Sequence, residues 1–503
     1  MIGAGAAGIT LTRRLLAAGR TVVLLESGGL DYEASVAALG AGENVGADYY
    51  DLEDSRLRFF GGTTAIWGGR CAELDPIDLE KRDYVPHSGW PIPYAELERW
   101  YREARPLFGL PAEKPSPELF RSAGVPLPRF AELETPLWTF DRRFNRFAWP
   151  SCADLEADPK CQIVTHATVT RIVQMDRGIE RVEARALGSG GATVRAKAFV
   201  LAAGGIENPR LLLASDIGNG HDQVGRYFME HPHARGGRVV QGAAWPLLKA
   251  FGRRHRIGGQ DLAALITPGE TLQRREGILN TSLTVVARQP RGRRQFVGMK
   301  AYSGLKHSMA PTKRGRALWM VTKKAAGWAQ RHVDPARPWL LHKLGSVDVA
   351  LLVRAEQAPN PESRVTLTGD TDAVGVPRVA LNWRLSEIDI RSVKVLVETL
   401  GAELARLGMG GVEPAEWLSS GAWQTDPLIS SHPIGGYHHM GTTRMGDDPK
   451  SSVTDADGRV HDVGNLWMAG SSLFPTGSWA NPTLTIAALA LRTAERIDRE
   501  LGA

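Results

Sequence analysis

The sequence predicts an α/β fold, α+β overall, in which a Rossmann-like dinucleotide-binding domain is combined with a discontinuous, sheet-based second domain. Three observations predict it. A Gly-x-Gly-x-x-Gly loop of Gly3, Gly5 and Gly8 opens a helical stretch that runs through Leu15 and Leu16. A β-run from Thr21 follows and ends on a carboxylate, Glu26. The chain has 503 residues, which is more than one ordinary core holds.

Each part of the head motif has a physical reason. Gly3 allows the tight turn, Gly5 lets the backbone approach a pyrophosphate, and Gly8 permits close helix packing. Ala6 and Ala7 begin the helix, whose N-terminus faces the phosphates. Glu26 lies 18 residues after Gly8, where a carboxylate accepts from ribose hydroxyls and disfavours a 2′-phosphate. Only Met1 and Ile2 precede Gly3, whereas such a fold normally opens with a strand of about five or six residues. The expectation is a truncated chain or a start set too far downstream, which would hide any targeting segment.

Further along, Phe59 to Arg70 forms a Gly-rich loop with an embedded Trp67. Its Gly62, Thr63, Trp67 and Gly68 are suited to lie against a planar ring system. The segments Val169 to Ile172 and Ala198 to Gly205 read as strands, the second carrying Ala203 and Gly204 into a helix start at Ile206 to Leu213, with Pro209 near its first turn. Arg364 to Leu367 and Val379 to Trp383 alternate like strands, and Leu385 to Leu407 reads as an amphipathic helix. No internal repeat is seen.

The chemistry is concentrated near the C-terminus. Tyr437 to Gly446 carries His438 and His439, and Ala480 to Thr485 carries Asn481; His438 and Asn481 are 43 residues apart. Imidazole takes a proton near neutral pH, and an Asn amide donates to the alkoxide left behind. Those two roles describe alcohol oxidation. His439 is expected to pack or hydrogen-bond behind the site, Arg444 to make a structural ion pair, and His231 and His233 to be structural. No Asp, Glu or Cys cluster completes a metal set around the His pair, so no metal is expected. No Gly-x-Ser-x-Gly elbow supports a Ser nucleophile.

Composition sets bounds. Hydrophobic content of 43% and charged content of 23% suit a soluble globular protein. No apolar run reaches the ~18 residues that span a bilayer. Cys71, Cys152 and Cys161 are too few for a disulfide framework, and no signal peptide is seen, which fits a cytoplasmic setting. Residues 277–333 hold twelve Lys or Arg and no Asp or Glu, more than the whole net charge of +6. Within them Leu318, Val321, Ala325 and Trp328 fall at helical spacing. A basic amphipathic helix can lie on anionic lipid, as a peripheral membrane contact, or meet an acidic partner. The preferred reading is a solvated insertion flanking the active-site entrance. No recognised nucleic-acid-binding fold accompanies the charge.

Taken with the Gly61 to Gly69 loop, Gly89 to Ile92, Ala202 to Gly204 and Gly225 to Pro232, these motifs resemble the glucose–methanol–choline (GMC) oxidoreductase family. The tail, Leu466 to Gly470 and Ala480 to Thr483, looks most like the pyranose oxidase and sugar or C-glycoside 3-oxidase branch. The resemblance implies an FAD-binding domain, bound FAD, and a sugar, glycoside or alcohol substrate. It implies His438 as catalytic base and Asn481 as its partner. Gly470, Pro482 and Thr483 fall where the family holds the ribityl chain and the pyrimidine end of the flavin, with Ser471 beside them, and Val169 where a backbone meets the adenine. The expected division is 1–75, 150–228 and 436–503 for FAD, and 76–149 with 229–435 for substrate.

Three positions depart from the family. Ile66 stands where some members carry a His that attaches FAD covalently, so non-covalent FAD is expected. Gly68 replaces the Thr that pyranose oxidases hold near the reactive nitrogen. Ala469-Gly470-Ser471 replaces a run that often contains Asp. The expected function is FAD-dependent oxidation of a hydroxyl group, as a dehydrogenase in preference to an oxidase, with oxygen, a quinone or a redox protein as acceptor. The alternatives are a non-redox flavin-containing lyase and an NAD-dependent dehydrogenase.

Overall fold

The computed structural model describes residues 1–502, except Pro126, Phe144, Ser189, Ala243 and residues 292–312. A parallel sheet is assembled from distant parts of the chain. Strand Val22–Leu25 pairs in parallel with Cys161–Val164, and Phe199–Leu201 with Leu466–Met468. Ile2 joins the two pairs, bridging Leu25 on one side and Leu201 on the other, parallel to both. Three of these strands, Val22–Leu25, Phe199–Leu201 and Leu466–Met468, are short, continuous apolar runs, as strands covered on both faces require; Cys161–Val164, with its exposed Gln162, is more open.

Helix Ala6–Ala17 and helix Thr483–Gly502 pack against one face of that sheet. Their contact buries Leu11, Leu15, Ala490, Ala494 and Ile497 against Val22, Val200 and Trp467. The two ends of the chain thereby bring the glycine loop and the Asn481-Pro482-Thr483 turn to one sheet edge. Asn208 ties the loops there: its Oδ1 accepts from the Ala203 amide, and its Nδ2 donates to the Ala469 carbonyl and to Ser472.

A second, antiparallel sheet runs Ser282–Arg288, Asp348–Arg354, His233–Val240, Gly411–Pro414. Helices Glu387–Arg406 and Ala244–Phe251 contribute Val393, Leu396, Val397, Leu247 and Leu248 to its apolar core. The long helix begins at Glu387 rather than Leu385 because Ser386 caps it, with the Asp389 carboxylate reaching back to the Ser386 amide. The expected strand pair is present as Arg364–Thr371 with Pro377–Asn382, and the latter also runs parallel to Gly42–Asn44. Among the described residues there is no closed barrel.

The basic segment divides. Its first part is strand Ser282–Arg288, and its last part is helix Lys313–His332; the residues 292–312 between them lie outside the described residues. The helix is held by Arg316, which pairs with Asp31 and lies 5.0 Å over the Phe59 ring. Leu318, Val321 and Trp328 are exposed on it, while Ala326 and Gly327 face the central cavity. Among the described residues no helix is long and apolar enough to cross a membrane.

Candidate functional site

One cavity of about 550 Å³ runs between the parallel sheet edge and the antiparallel sheet. Gly3, Gly5, Ala6, Ala7 and Glu26 line it from the head motif. Gly62, Thr63, Trp67 and Gly68 line it from the Gly-rich loop. Val169, Ala203 and Gly204 line it from the middle segments, and Gly470, Ser471, His438, Asn481, Pro482 and Thr483 from the C-terminal part. Of the residues expected to hold the cofactor or act on the substrate, Gly8 alone does not line it. A Cβ on Gly8 would stand 1.9 Å from the Gly3 carbonyl oxygen, so its role is the close packing of helix on turn.

The cradle is shaped by absent side chains. A Cβ on Gly5, Gly204 or Gly470 would meet nothing within 4 Å. These backbones face open space along the cavity and the N-terminus of helix Ala6–Ala17, as binding a dinucleotide pyrophosphate requires. Glu26 is held by two amides: Ala4 donates to Oε2 at 2.9 Å and Gly28 to Oε1 at 3.0 Å. Burial pushes this carboxyl up, against those amides and Arg58. Its remaining lone pairs suit ribose hydroxyls. The residues present therefore fit FAD. Ile66, in the same wall, offers no nucleophile for a covalent link.

His438 is placed by a buried network that the sequence did not reveal. The Glu230 carboxylate accepts from the backbone amides of His231, Gly436 and His438, and from the Tyr49 hydroxyl at 2.6 Å. Burial pushes the Glu230 carboxyl up against these donors. With its proton given to Glu230, the Tyr49 oxygen accepts from His439 Nε2 at 3.0 Å. Ser471 Oγ donates to the His439 carbonyl at 2.7 Å. His439 thus hydrogen-bonds to Tyr49 while also lining the cavity beside His438. The two histidines occupy an irregular segment rather than a strand, and their rings still diverge.

On its other side His438 meets two partners. Its Nδ1 is 2.9 Å from His231 Nδ1, and its Nε2 is 3.3 Å from Asn481 Nδ2. His231, expected to be structural, touches the residue read as the base. Burial, followed by the charges of His231, His233, His439 and Arg70, holds His438 well below the usual imidazole range. The ring is neutral near pH 7, with a lone pair to offer.

Arg444 corrects an expectation. It makes no ion pair among the described residues; it donates to the His87 carbonyl at 2.6 Å and lies 4.4 Å over the Tyr227 ring. Burial lowers its guanidinium to about 10. Here an aromatic face takes the place of a carboxylate.

The wall near His438 is cationic. Arg70, Arg288 and Arg354 line it, with His233. Arg70 and Arg354 flank the indole of Trp138 at 5.2 and 5.0 Å. Arg288 and Arg354 come from opposite ends of two neighbouring strands of the antiparallel sheet, where they pair with Asp348 and Ser282, and no local motif announces that they share a wall. Among the described residues no group of three or more His, Cys, Asp or Glu side chains is placed to hold a metal.

Comparison with known proteins agrees with the motif-level resemblance. Residues 359–490 match the family model described as GMC oxidoreductase, and residues 1–219 match that described as FAD dependent oxidoreductase. The chain is 26% identical to a 2-methyl-1,2-propanediol dehydrogenase of Mycolicibacterium austroafricanum, over 100% of this chain and 95% of the relative. It is also 26% identical to a C-glycoside 3-oxidase of Arthrobacter globiformis, over 88% and 74%. In structure it is similar to the pyridoxine 4-oxidase from Mesorbium loti, with a TM-score of 0.56, 17% identity and 98% of each chain covered, a likeness of fold.

Proposed function

We propose, from the premise that the chain is a GMC-type FAD oxidoreductase, that it oxidises a hydroxyl group of a sugar, glycoside or related alcohol. One observation carries the reading: His438 Nε2 and Asn481 Nδ2 sit 3.3 Å apart in the same cavity as the dinucleotide loop. His438 Nε2 accepts the hydroxyl proton. The Asn481 amide donates to the substrate oxygen as negative charge develops on it. FAD held along the glycine cradle supplies the acceptor for the hydride that leaves the carbinol carbon. The parallel-sheet segments 1–75, 150–228 and 436–503 form the cofactor unit in this reading, and the antiparallel sheet carries the substrate wall. We read helix Lys313–His332 as a wall of the entrance rather than a membrane anchor, because Ala326 and Gly327 face the cavity and Arg316 is tied to Asp31.

The test is anaerobic mixing of the FAD-loaded protein with a panel of sugars, glycosides and diols. Bleaching of the yellow flavin band by some of them is expected. A flavin that no hydroxylated compound bleaches would remove the redox reading. Acid precipitation of the same protein is expected to release all FAD into solution, since Ile66 offers no attachment point; flavin retained in the pellet would contradict this.

For the acceptor we favour a dehydrogenase. Gly68 provides no side chain to orient a flavin–oxygen adduct. The space where its Cβ would stand is approached to 2.8 Å by Arg70 Nη1. That guanidinium also favours the second reading, an oxidase, because a cation there stabilises an oxygen-derived anion. Stopped-flow reoxidation separates the two. Fast reaction with a quinone or dye and slow reaction with air is the expected result; fast air oxidation with stoichiometric peroxide makes it an oxidase.

A further inference from the structure

Among the described residues, six of the seven arginines that line the cavity fall into two groups with different partners; the seventh, Arg254, lies 3.7 Å over the Phe140 ring. At one end Arg56, Arg58 and Arg210 share buried acids: Arg56 Nη2 is 2.7 Å and Arg58 Nη1 3.0 Å from Glu207, and Arg210 Nη2 is 2.8 Å from Asp372. Beside His438, Arg70, Arg288 and Arg354 have no carboxylate within ion-pair distance among the described residues. Arg354 Nη1 donates to Thr284 Oγ1 at 2.9 Å. Arg288 Nε donates to the Ile429 carbonyl at 2.7 Å and its Nη1 to the Ala287 carbonyl at 2.9 Å. Arg70 Nε is buried and makes no hydrogen bond. The acids nearest in the sheet and its neighbouring loop are engaged elsewhere: Asp348 with Arg235 and Arg238, Asp426 with Arg235 and Arg291. Residues 292–312 contain no Asp or Glu, so that segment brings no counter-charge.

Three like charges in one desolvated wall repel one another and lose hydration. The strain is visible in the guanidinium acidities. Burial, with Arg70 and Arg288 nearby, drives Arg354 well below its ordinary value; burial lowers Arg70; burial with Arg235 lowers Arg288 to about 10. A guanidinium fork is the geometry that receives carboxylate or phosphate oxygens. Trp138, buried between Arg70 and Arg354, is the aromatic support on which both guanidinium groups rest.

We propose that Arg70, Arg288 and Arg354 form a binding site for an anionic group, carboxylate or phosphate ester, carried by the hydroxylated substrate. The inference rests on the reading of His438 as the base beside which that substrate docks. It makes the substrate an acidic sugar derivative or a related hydroxylated anion, rather than a neutral sugar.

The experiment uses the oxidised FAD-loaded protein, so that the cofactor's own phosphate site is filled. Glucuronic acid, glucose 6-phosphate, inorganic phosphate and neutral methyl glucoside are titrated anaerobically, with perturbation of the flavin spectrum and calorimetry reporting binding and bleaching reporting reduction. At least one organic anion is expected to bind roughly tenfold or more tightly than methyl glucoside, with affinity falling as salt rises. The acid and the phosphate ester distinguish the two sources of charge. Arg354→Gln and Arg288→Gln, each checked for FAD content and melting temperature, are expected to weaken the anion at least tenfold and the neutral sugar less. Equal binding of anions and methyl glucoside, or anion binding untouched in both folded variants, overturns the proposal. If methyl glucoside bleaches the flavin and no anion binds, this inference fails while the oxidation reading stands. If anions bind through the arginines and no compound bleaches the flavin, the reverse holds.

Discussion

His231 Nδ1 lies 2.9 Å from His438 Nδ1, and this contact decides which nitrogen of His438 is left unprotonated. A carbonyl only accepts, so the contact of His231 Nε2 with the Gly477 carbonyl at 3.4 Å places a proton on Nε2. His231 Nδ1 is then an acceptor. The proton between the rings belongs to His438 Nδ1. His438 Nε2 is left unprotonated, beside the Asn481 amide, as a general base requires. With His438 as the proposed base, His231 is its positioning residue, in the way an orienting group fixes the tautomer of a catalytic imidazole.

His231→Phe removes the acceptor and frees His438 to take the wrong tautomer. Reduction of the flavin by substrate should slow on the order of tenfold or more, with substrate affinity little changed. His231→Asn keeps an oxygen that accepts from Nδ1–H and should recover most of the rate. Rapid-mixing measurement at saturating substrate checks both. If Phe and Asn lose the same rate, the role is packing alone.

His438→Ala should keep FAD and slow flavin reduction about a hundredfold or more, the usual scale for a lost acid–base group. His439→Ala should affect rate less and stability more, because its ring serves Tyr49 and the Glu230 network. Paired rapid-mixing and thermal unfolding measurements separate the two. A reversed order of rate effects would move the base to His439.

The pH dependence should be flat through the ordinary histidine range. Protonation removes the lone pair, and His438 is held well below 6.5, chiefly by burial. Activity is therefore kept as pH falls from 8 through 6.5, and is lost only as pH drops through the lowered value. The rate of flavin reduction at saturating substrate, measured across pH, checks this. A limb centred near 6.5 would mean a solvated imidazole in the working enzyme.

Gly5 and Gly8 should respond differently to the same methyl group. Gly8→Ala must push Gly3 and the helix apart, since the new Cβ would lie 1.9 Å from the Gly3 oxygen. A loss of roughly 1–3 kcal/mol of stability is expected even without FAD. Gly5→Ala meets no protein atom within 4 Å and has a backbone φ of −87°, open to any residue. Its methyl projects into the cradle, so FAD affinity should fall by about tenfold with the unliganded melting temperature unchanged. Denaturation of the apoprotein and flavin titration check the pair.

Much of this was legible in the sequence because it is written locally. The glycine spacing, the apolar run ending at Glu26 and the long amphipathic helix are patterns within about 20 residues. The His438 and Asn481 clusters were legible as motifs, though the 43 residues between them say nothing of distance. One reading went astray and one fell short for a shared reason. Arg444 was expected to make an ion pair, and the contact of His231 was not foreseen, because their partners, Tyr227 and His438, lie 217 and 207 residues away.

The sequence by itself determined the Gly-rich head and the fold class, and it singled out His438 and Asn481 as the proposed base and its partner, because each depends on short-range periodicity or on residue type. Only the tertiary structure decided how the base is oriented and what charge it works beside. The His231 contact arises where the segment following Tyr227 crosses the C-terminal loop. The arginine wall draws Arg288 and Arg354 from opposite ends of one antiparallel strand pair and Arg70 from the end of the Gly-rich loop, and all three line the same cavity. Strand register and loop crossing are settled by packing of the whole core, and no local pattern encodes them.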